Sequence, residues 1–264
     1  MLEDLDPEAL REPYLAATPW PHLVVDEVVA SDLAVGAASE IAELPRRALV
    51  GRRSRRQVKI SSTGIHDLGP RTRELLRTIS GPEIIELAER VTGIDGLTAD
   101  PEFCRAGVFV TPPGGWQRVH EDFPVHPQTG LWNRVVVLLY CSAYAEGSGG
   151  RLELWPPDMT SVGRRIEPRP GRLVMFETMS THPHGVEALA PSAGSRVVLA
   201  SRLYSREPPA ATPSRPLWRW SRRPDERRRD VWPSPSEAAR ELRARVRRSL
   251  SAHKVAGSGR DTGY

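Results

Sequence analysis

The sequence predicts a mainly β protein with flanking helices, in which short strands build a sandwich or small barrel. Three observations carry this reading. Apolar residues in the N-terminal third recur at helical spacing. From about residue 103, β-branched and aliphatic runs alternate with Gly and Pro turns, the pattern of a sandwich or barrel. Beyond residue 206, Pro and Arg take over.

Ser31 is placed to cap a helix with apolar positions at Leu33, Val35, Ala38, Ile41 and Leu44, which Pro45 ends. Residues 46–59 follow as a basic stretch (Arg46, Arg47, Arg52, Arg53, Arg55, Arg56, Lys59), expected to form an exposed loop. A helical pair is expected over about 70–92. Pro82 suits a first helical turn, Ile84, Ile85, Leu87, Ala88 and Val91 make an apolar face, and Gly93 suits the stop. The expected strands are 103–110, 116–123, 134–141, 151–155, 162–167, 172–176, 184–189 and 196–204. No fixed-period repeat is visible, which speaks against a solenoid. Residues from 206 read as an irregular linker, 236–250 as an Arg-rich helix, and the last residues as disordered.

Composition narrows the class. A 264-residue chain fits one long domain, or a domain with a tail. Mean hydropathy of −0.41 suits a globular protein, and no apolar run is long enough for a transmembrane helix. The acidic N-terminus lacks the apolar core of a signal peptide, so a cytoplasmic location is expected. Cys104 and Cys141 alone cannot build a disulfide framework or a Cys-based zinc site. Of 37 cations, 35 are Arg and two, Lys59 and Lys254, are Lys. Residues 206–264 hold 15 basic and 7 acidic side chains, so a basic tail follows a mildly acidic body.

The tract Val119-His120-Glu121-Asp122-Phe123 carries the chemistry. Side chains alternate along a strand, so His120 and Asp122 share a face. Two His plus one carboxylate on one face of an octahedron suit non-haem Fe(II) and leave positions open. A third ligand is expected from a later strand. His182 and His184 both qualify, and their spacing does not choose between them; His126, before Pro127, reads as loop. Arg196 opens an apolar strand, where a planar guanidinium can clamp a carboxylate. Arg202 has the same parity but lies roughly 20 Å further along an extended strand, so one of the two is expected to serve a given pocket.

The tract from Leu97 to Ser205 resembles the Fe(II)/2-oxoglutarate-dependent dioxygenases of the prolyl 4-hydroxylase type. The matching features come in order: Pro113-Gly114-Gly115, His120-Glu121-Asp122-Phe123, Arg134, Leu138-Leu139-Tyr140, Gly149-Gly150-Arg151-Leu152-Glu153-Leu154-Trp155, Arg172-Leu173-Val174-Met175-Phe176-Glu177-Thr178, His184-Gly185-Val186 and Arg196. The resemblance implies a double-stranded β-helix (jelly-roll) core over 97–205. Residues 1–96 would support it as helices of the same domain, and 206–264 would extend it. It implies His120, Asp122 and His184 as Fe(II) ligands, with His184 fitting the family spacing better than His182. Arg196 would grip the 5-carboxylate of 2-oxoglutarate, joined by Tyr140, which otherwise reads as a core aromatic. O₂ is the co-reactant, ascorbate a stimulant, and succinate and CO₂ are the by-products. An intact carboxylate at Asp122 argues for hydroxylation, since related halogenases replace it with a small residue. The chain departs from the family at Tyr140-Cys141-Ser142, where many members have YLN, and at Val110 and Thr111, where some have Tyr. The expected substrate is peptidyl (prolyl) or a small molecule, with no membrane partner.

Two rivals stand beside this reading: a non-catalytic metal-binding jelly roll, and a nucleic-acid or protein binder acting through the basic tail. In the tail, Ala238, Ala239, Leu242 and Val246 form an apolar stripe about 100° wide. That favours an amphipathic helix docked on the core over a nucleic-acid binder.

Overall fold

A computed structural model of the chain describes residues 5–62, 64–179, 181–210 and 219–227, with three isolated positions near 238. The expected helix 236–250 and the terminal residues lie almost wholly outside the described residues. Among the described residues, four α-helices, α1 (Pro7–Ala16), α2 (Ser31–Ala42), α3 (Pro70–Thr78) and α4 (Pro82–Thr92), accompany an antiparallel sheet. Its strands are β1 (His22–Val25), β2 (Leu49–Arg53), β3 (Gln57–Ser62), β4 (Thr98–Ala99), β5 (Gly107–Thr111), β6 (Trp116–Glu121), β7 (Trp132–Tyr140), β8 (Leu152–Leu154), β9 (Arg164–Ile166), β10 (Leu173–Glu177), β11 (His184–Val186), β12 (Arg196–Ser205) and β13 (Arg219–Trp220). The order β1-β10-β7-β12-β5-β3-β6-β11-β8-β9 curls the sheet into a half-barrel, the jelly-roll architecture expected from the sequence.

The curl gives the long central strands two buried faces, each with its own core. Val135, Val137 and Leu139 of β7 join Val197, Leu199 and Leu203 of β12 in the outer cluster, against Ala34, Ile41, Leu76, Ile84 and Leu87 of the helices. Val136, Leu138 and Tyr140 join Val198 and Ala200 in the inner cluster, with Leu152, Leu154 and Phe176. Strand alternation thus sends odd residues of β7 to the helices and even residues to the lumen. Helices α3 and α4 each start on Pro and bury one apolar face; Gly93 ends α4 in the left-handed region at φ 77°.

Three expectations need correction. Residues 46–59 are a hairpin rather than a loop: β2 pairs with β3, Arg52 opposite Lys59. Seven cations hide the strand alternation there. Ser31 is the first residue of its helix, not the cap; its hydroxyl donates to the carbonyl of Pro170. The stretch after 206 is not wholly irregular, since β13 returns to pair with β6. No helix among the described residues is long and apolar enough to cross a membrane.

Candidate metal and carboxylate site

β6 and β11 are antiparallel neighbours, and their register sets His184 directly opposite His120. Gly185 allows this approach: a Cβ there would lie 3.0 Å from the backbone N of Val119 and 3.1 Å from the carbonyl of Gln117. Asp122 follows the end of β6, one alternation beyond His120. The Nε2 of His120 lies 3.8 Å from Asp122 Oδ1, and that of His184 lies 3.8 Å from Oδ2. The three ligand atoms fall within 4.8 Å of one another. The structure therefore brings His120, Asp122 and His184 together.

Both rings are set for ligation by what they touch. Nδ1 of His120 donates to the carbonyl of Arg118 at 3.0 Å, and Nδ1 of His184 to that of His182 at 3.1 Å. That tautomer leaves the Nε2 lone pairs facing Asp122. The Gln117 amide nitrogen lies 3.1 Å from His120 Nε2, a contact that a metal on that lone pair would displace. Burial pushes both imidazoles below the ordinary His range, against the Asp122 carboxylate, which favours their charged forms. Burial alone would raise the Asp122 carboxyl. The Arg202 guanidinium outweighs it and holds the group well below the usual carboxylate range.

Arg202 clamps Asp122 with two parallel bonds of 2.8 and 3.0 Å, and its guanidinium lies over the Phe123 ring. Each carboxylate oxygen keeps a second lone pair for another partner. Sequence reasoning assigned Arg202 no role in a shared pocket. Both arginines of β12 in fact turn into the lumen, one at each end. The only signal was strand parity, which shows the face but not the partner.

Arg196, 5% exposed, sits at the other end. Its Nη2 reaches the Tyr140 hydroxyl at 3.4 Å, with its guanidinium 5.0 Å from the ring centroid, and among the described residues its Nε has no hydrogen-bond partner. A buried guanidinium with one long contact is costly unless an anion meets it. The donor sets fit a metal at one end and a carboxylate at the other.

His182 and His126, the other candidates, are occupied elsewhere. His182 stacks on Trp20 at 4.6 Å and bonds the carbonyl of Glu177 through Nδ1. His126 accepts from the backbone N–H groups of Gln128 and Thr129 at Nδ1 and donates from Nε2 to Asp100. With Cys104 these make a second grouping of ligand-type side chains, but neither ring nitrogen of His126 is left for a metal.

A strap of C-terminal chain borders the site. Trp220 pairs with His120 across β13 and β6, and its ring lies 5.2 Å from the imidazole. Beyond it, Arg223 binds the buried Glu153 at 2.6 and 2.8 Å, and Glu226 binds Arg118. Pro- and Arg-rich composition gave no sign of this return, because its partners Glu153 and Arg118 lie 70 and 108 residues upstream.

Comparison with known proteins agrees with this geometry. Residues 106–203 match the family described as the 2OG-Fe(II) oxygenase superfamily. No curated protein sequence matches the chain. Among solved structures, a Pseudomonas putida prolyl-4-hydroxylase aligns with TM-score 0.56 and 17% identity over 76% of this chain and 100% of that one. A Trichoplax adhaerens prolyl hydroxylase, solved with a hypoxia inducible factor peptide fragment, gives 0.52 and 16% over 75% and 88%. An alpha ketoglutarate dependent carbocyclase from nogalamycin biosynthesis gives 0.54 and 15% over 77% and 85%. At these identities the structural matches establish the fold, and the family match spans residues 106–203, which carry His120, Asp122, His184 and Arg196. The family so described is one of Fe(II)- and 2-oxoglutarate-dependent oxygenases.

Proposed function

We propose that this protein is a 2OG-Fe(II) oxygenase that hydroxylates an unactivated C–H bond of a peptidyl or small-molecule substrate. The observation that carries the proposal is the pairing of two unlike sites in one lumen. His120, Asp122 and His184 offer three convergent ligand atoms, and Arg196 offers an unmatched buried guanidinium.

His120 and His184 would hold the metal through Nε2, their tautomers fixed by backbone carbonyls. Asp122 would supply the carboxylate, oriented by Arg202. Arg196, supported by Tyr140, would receive the far carboxylate of 2-oxoglutarate, the planar guanidinium matching the planar anion. Fe(II) with 2-oxoglutarate and O₂ supplies the oxidation of C–H to C–OH, with release of succinate and CO₂. The chain's own task is to hold these groups in register and keep water out of an apolar lumen. The solved neighbours include enzymes named for peptide and small-molecule chemistry, which is why both substrate classes are retained.

The test is succinate formation from 2-oxoglutarate with Fe(II) and ascorbate across a panel of peptides and small molecules. Turnover that Asp122→Ala abolishes is expected. Absence of both succinate and iron binding in the wild-type chain would overturn the reading. His184→Ala should match Asp122→Ala, whereas His182→Ala should retain metal binding; the reverse result would move the ligand to His182.

A further inference from the structure

We propose that Lys59 is a substrate anchor for a carboxylate, so that the enzyme acts on an acid: a carboxylic-acid small molecule or a peptide presenting a carboxylate. The inference rests on the functional reading above and adds the charge of the substrate to it.

Lys59 lies on β3, whose neighbours in the sheet are β5 and β6. Its ammonium sits 4.5 Å from the ring centroid of Phe109, which packs on the inner core cluster. Nζ donates to Gln117 Oε1 at 3.2 Å, and the amide nitrogen of Gln117 reaches His120 Nε2 at 3.1 Å. One side chain thus separates the lysine from the metal-type cluster. Lys59 is half-buried, so it both borders the lumen and remains within reach of an incoming molecule.

Charge bookkeeping in the lumen leaves this cation without an anion. Asp122 is matched by Arg202. Arg196 is assigned to the cosubstrate. Glu153, the buried acid of β8, is held by Arg223. Among the described residues, Nζ meets one acceptor and no carboxylate. Its cross-strand partner is Arg52, a second cation on the same face, and like charges directly opposite destabilise a strand pair. Burial, with the charge of Arg52 second, holds the Lys59 ammonium down to about 7. Lys59 over the Phe109 ring, with the exposed Arg52 directly across the hairpin, makes a pair of cations suited to an anion. One ammonium backed by an apolar ring suits a carboxylate with hydrocarbon attached.

The sequence makes the experiment direct, because the chain has only two lysines, Lys59 and Lys254. Selective ¹⁵N-lysine labelling yields two side-chain NMR signals, assigned with Lys59→Arg. The full chain is loaded with Zn(II) and 2-oxoglutarate, so no turnover intervenes. It is then titrated with acetate, N-acetylalanine and N-acetylalaninamide, and with blocked tripeptides carrying a central glutamate or glutamine. The Lys59 signal should move saturably with carboxylates, which should bind at least ~10-fold more tightly than their amide partners. Lys254 should not respond. Lys59→Met should erase the preference while 2-oxoglutarate affinity stays within about two-fold. A response to N-acetylalanine marks a small acid as the source, and a response to the glutamate tripeptide alone marks a peptide. Equal binding of acids and amides, a tighter response to inorganic phosphate, or no saturable shift at Lys59 overturns the proposal. So does a ~10-fold loss of 2-oxoglutarate affinity in Lys59→Met, which would assign the lysine to the cosubstrate. Failure of the underlying reading shows earlier and separately, as a wild-type chain that takes up neither Zn(II) nor 2-oxoglutarate.

Discussion

The outer face of the β7–β12 pair presents Val135, Val137, Leu139, Val197, Leu199 and Leu203 to the helices; its inner face presents Val136, Leu138, Tyr140, Val198 and Ala200, with Arg196 and Arg202 in the same alternation. Every residue of β12 is buried, so the faces differ in chemistry and not in exposure. The outer face is stabilised by apolar area, at roughly 25 cal/mol per Å². The inner face carries two guanidiniums, and only one has a carboxylate within the described chain. Buried charge there is set against stability and is consistent with a face kept for ligands. The comparison can be broken at either face, and the two should fail in different ways.

The largest effect is expected at Asp122. Asp122→Ala removes the carboxylate proposed as a metal ligand and strands Arg202, whose side chain is 6% exposed. Metal binding and turnover should vanish, and unfolding should cost about 3–5 kcal/mol less, as for one broken half of a buried pair. Asp122→Ala combined with Arg202→Met should recover much of the stability and none of the activity. Chemical denaturation with metal titration checks both. Recovery of activity would show that the carboxylate is not a ligand.

Leu139→Ala tests the opposite face. Leu139 is fully buried in the outer cluster, and truncation should cost about 2–5 kcal/mol by lost transfer energy and cavity formation. In the folded fraction, affinity for 2-oxoglutarate should be unchanged. A change in that affinity would mean that the faces are coupled through the strand.

Arg196→Met returns to the inner face with a smaller expected effect. It removes a buried charge that lacks a carboxylate partner among the described residues, so stability should hold or rise. The dissociation constant for 2-oxoglutarate, measured on the Zn(II)-loaded chain by calorimetry, should rise about 100-fold, or about 2.7 kcal/mol. An unchanged constant would take the cosubstrate away from Arg196.

What the sequence disclosed follows the same divide. All eight expected strands overlap observed ones, because alternation and turn residues are local signals; 196–204 matches Arg196–Ser205. Local reading failed where composition masked alternation, as in the hairpin at 49–62. It also missed α1 and β1, where Pro13, Pro19 and Pro21 blur both periods. At the site, strand parity paired His120 with Asp122 but left His182 and His184 equal. What separates them is tertiary: Trp20 takes His182, and the register of β11 on β6 brings His184 to His120. Arg202 and Trp220 were illegible for the same reason, since their partners Asp122 and His120 lie far from them in sequence.

The mildest prediction concerns acid and sharpens the contrast further. His22, on β1, is 2% exposed; its Nδ1 donates to the carbonyl of Trp20, and its Nε2 accepts from Arg164 at 2.9 Å. Burial pushes its pKa below the ordinary His value, and Arg164 opposes protonation as well. The unfolded chain binds a proton near pH 6.5, whereas the folded chain does not until the pH is lower. Between those values the unfolded state holds more protons, so stability is complete above about pH 6.5 and declines as pH falls. The urea midpoint of the metal-free chain should therefore drop from pH 7.5 to 5.5, and His22→Gln should flatten part of that drop. Leu139→Ala, by contrast, should lower the midpoint equally at every pH, since no proton is involved. If His22→Gln also shifts the curve uniformly, His22 contributes packing alone, and the acid sensitivity belongs to the remaining buried histidines of the inner face.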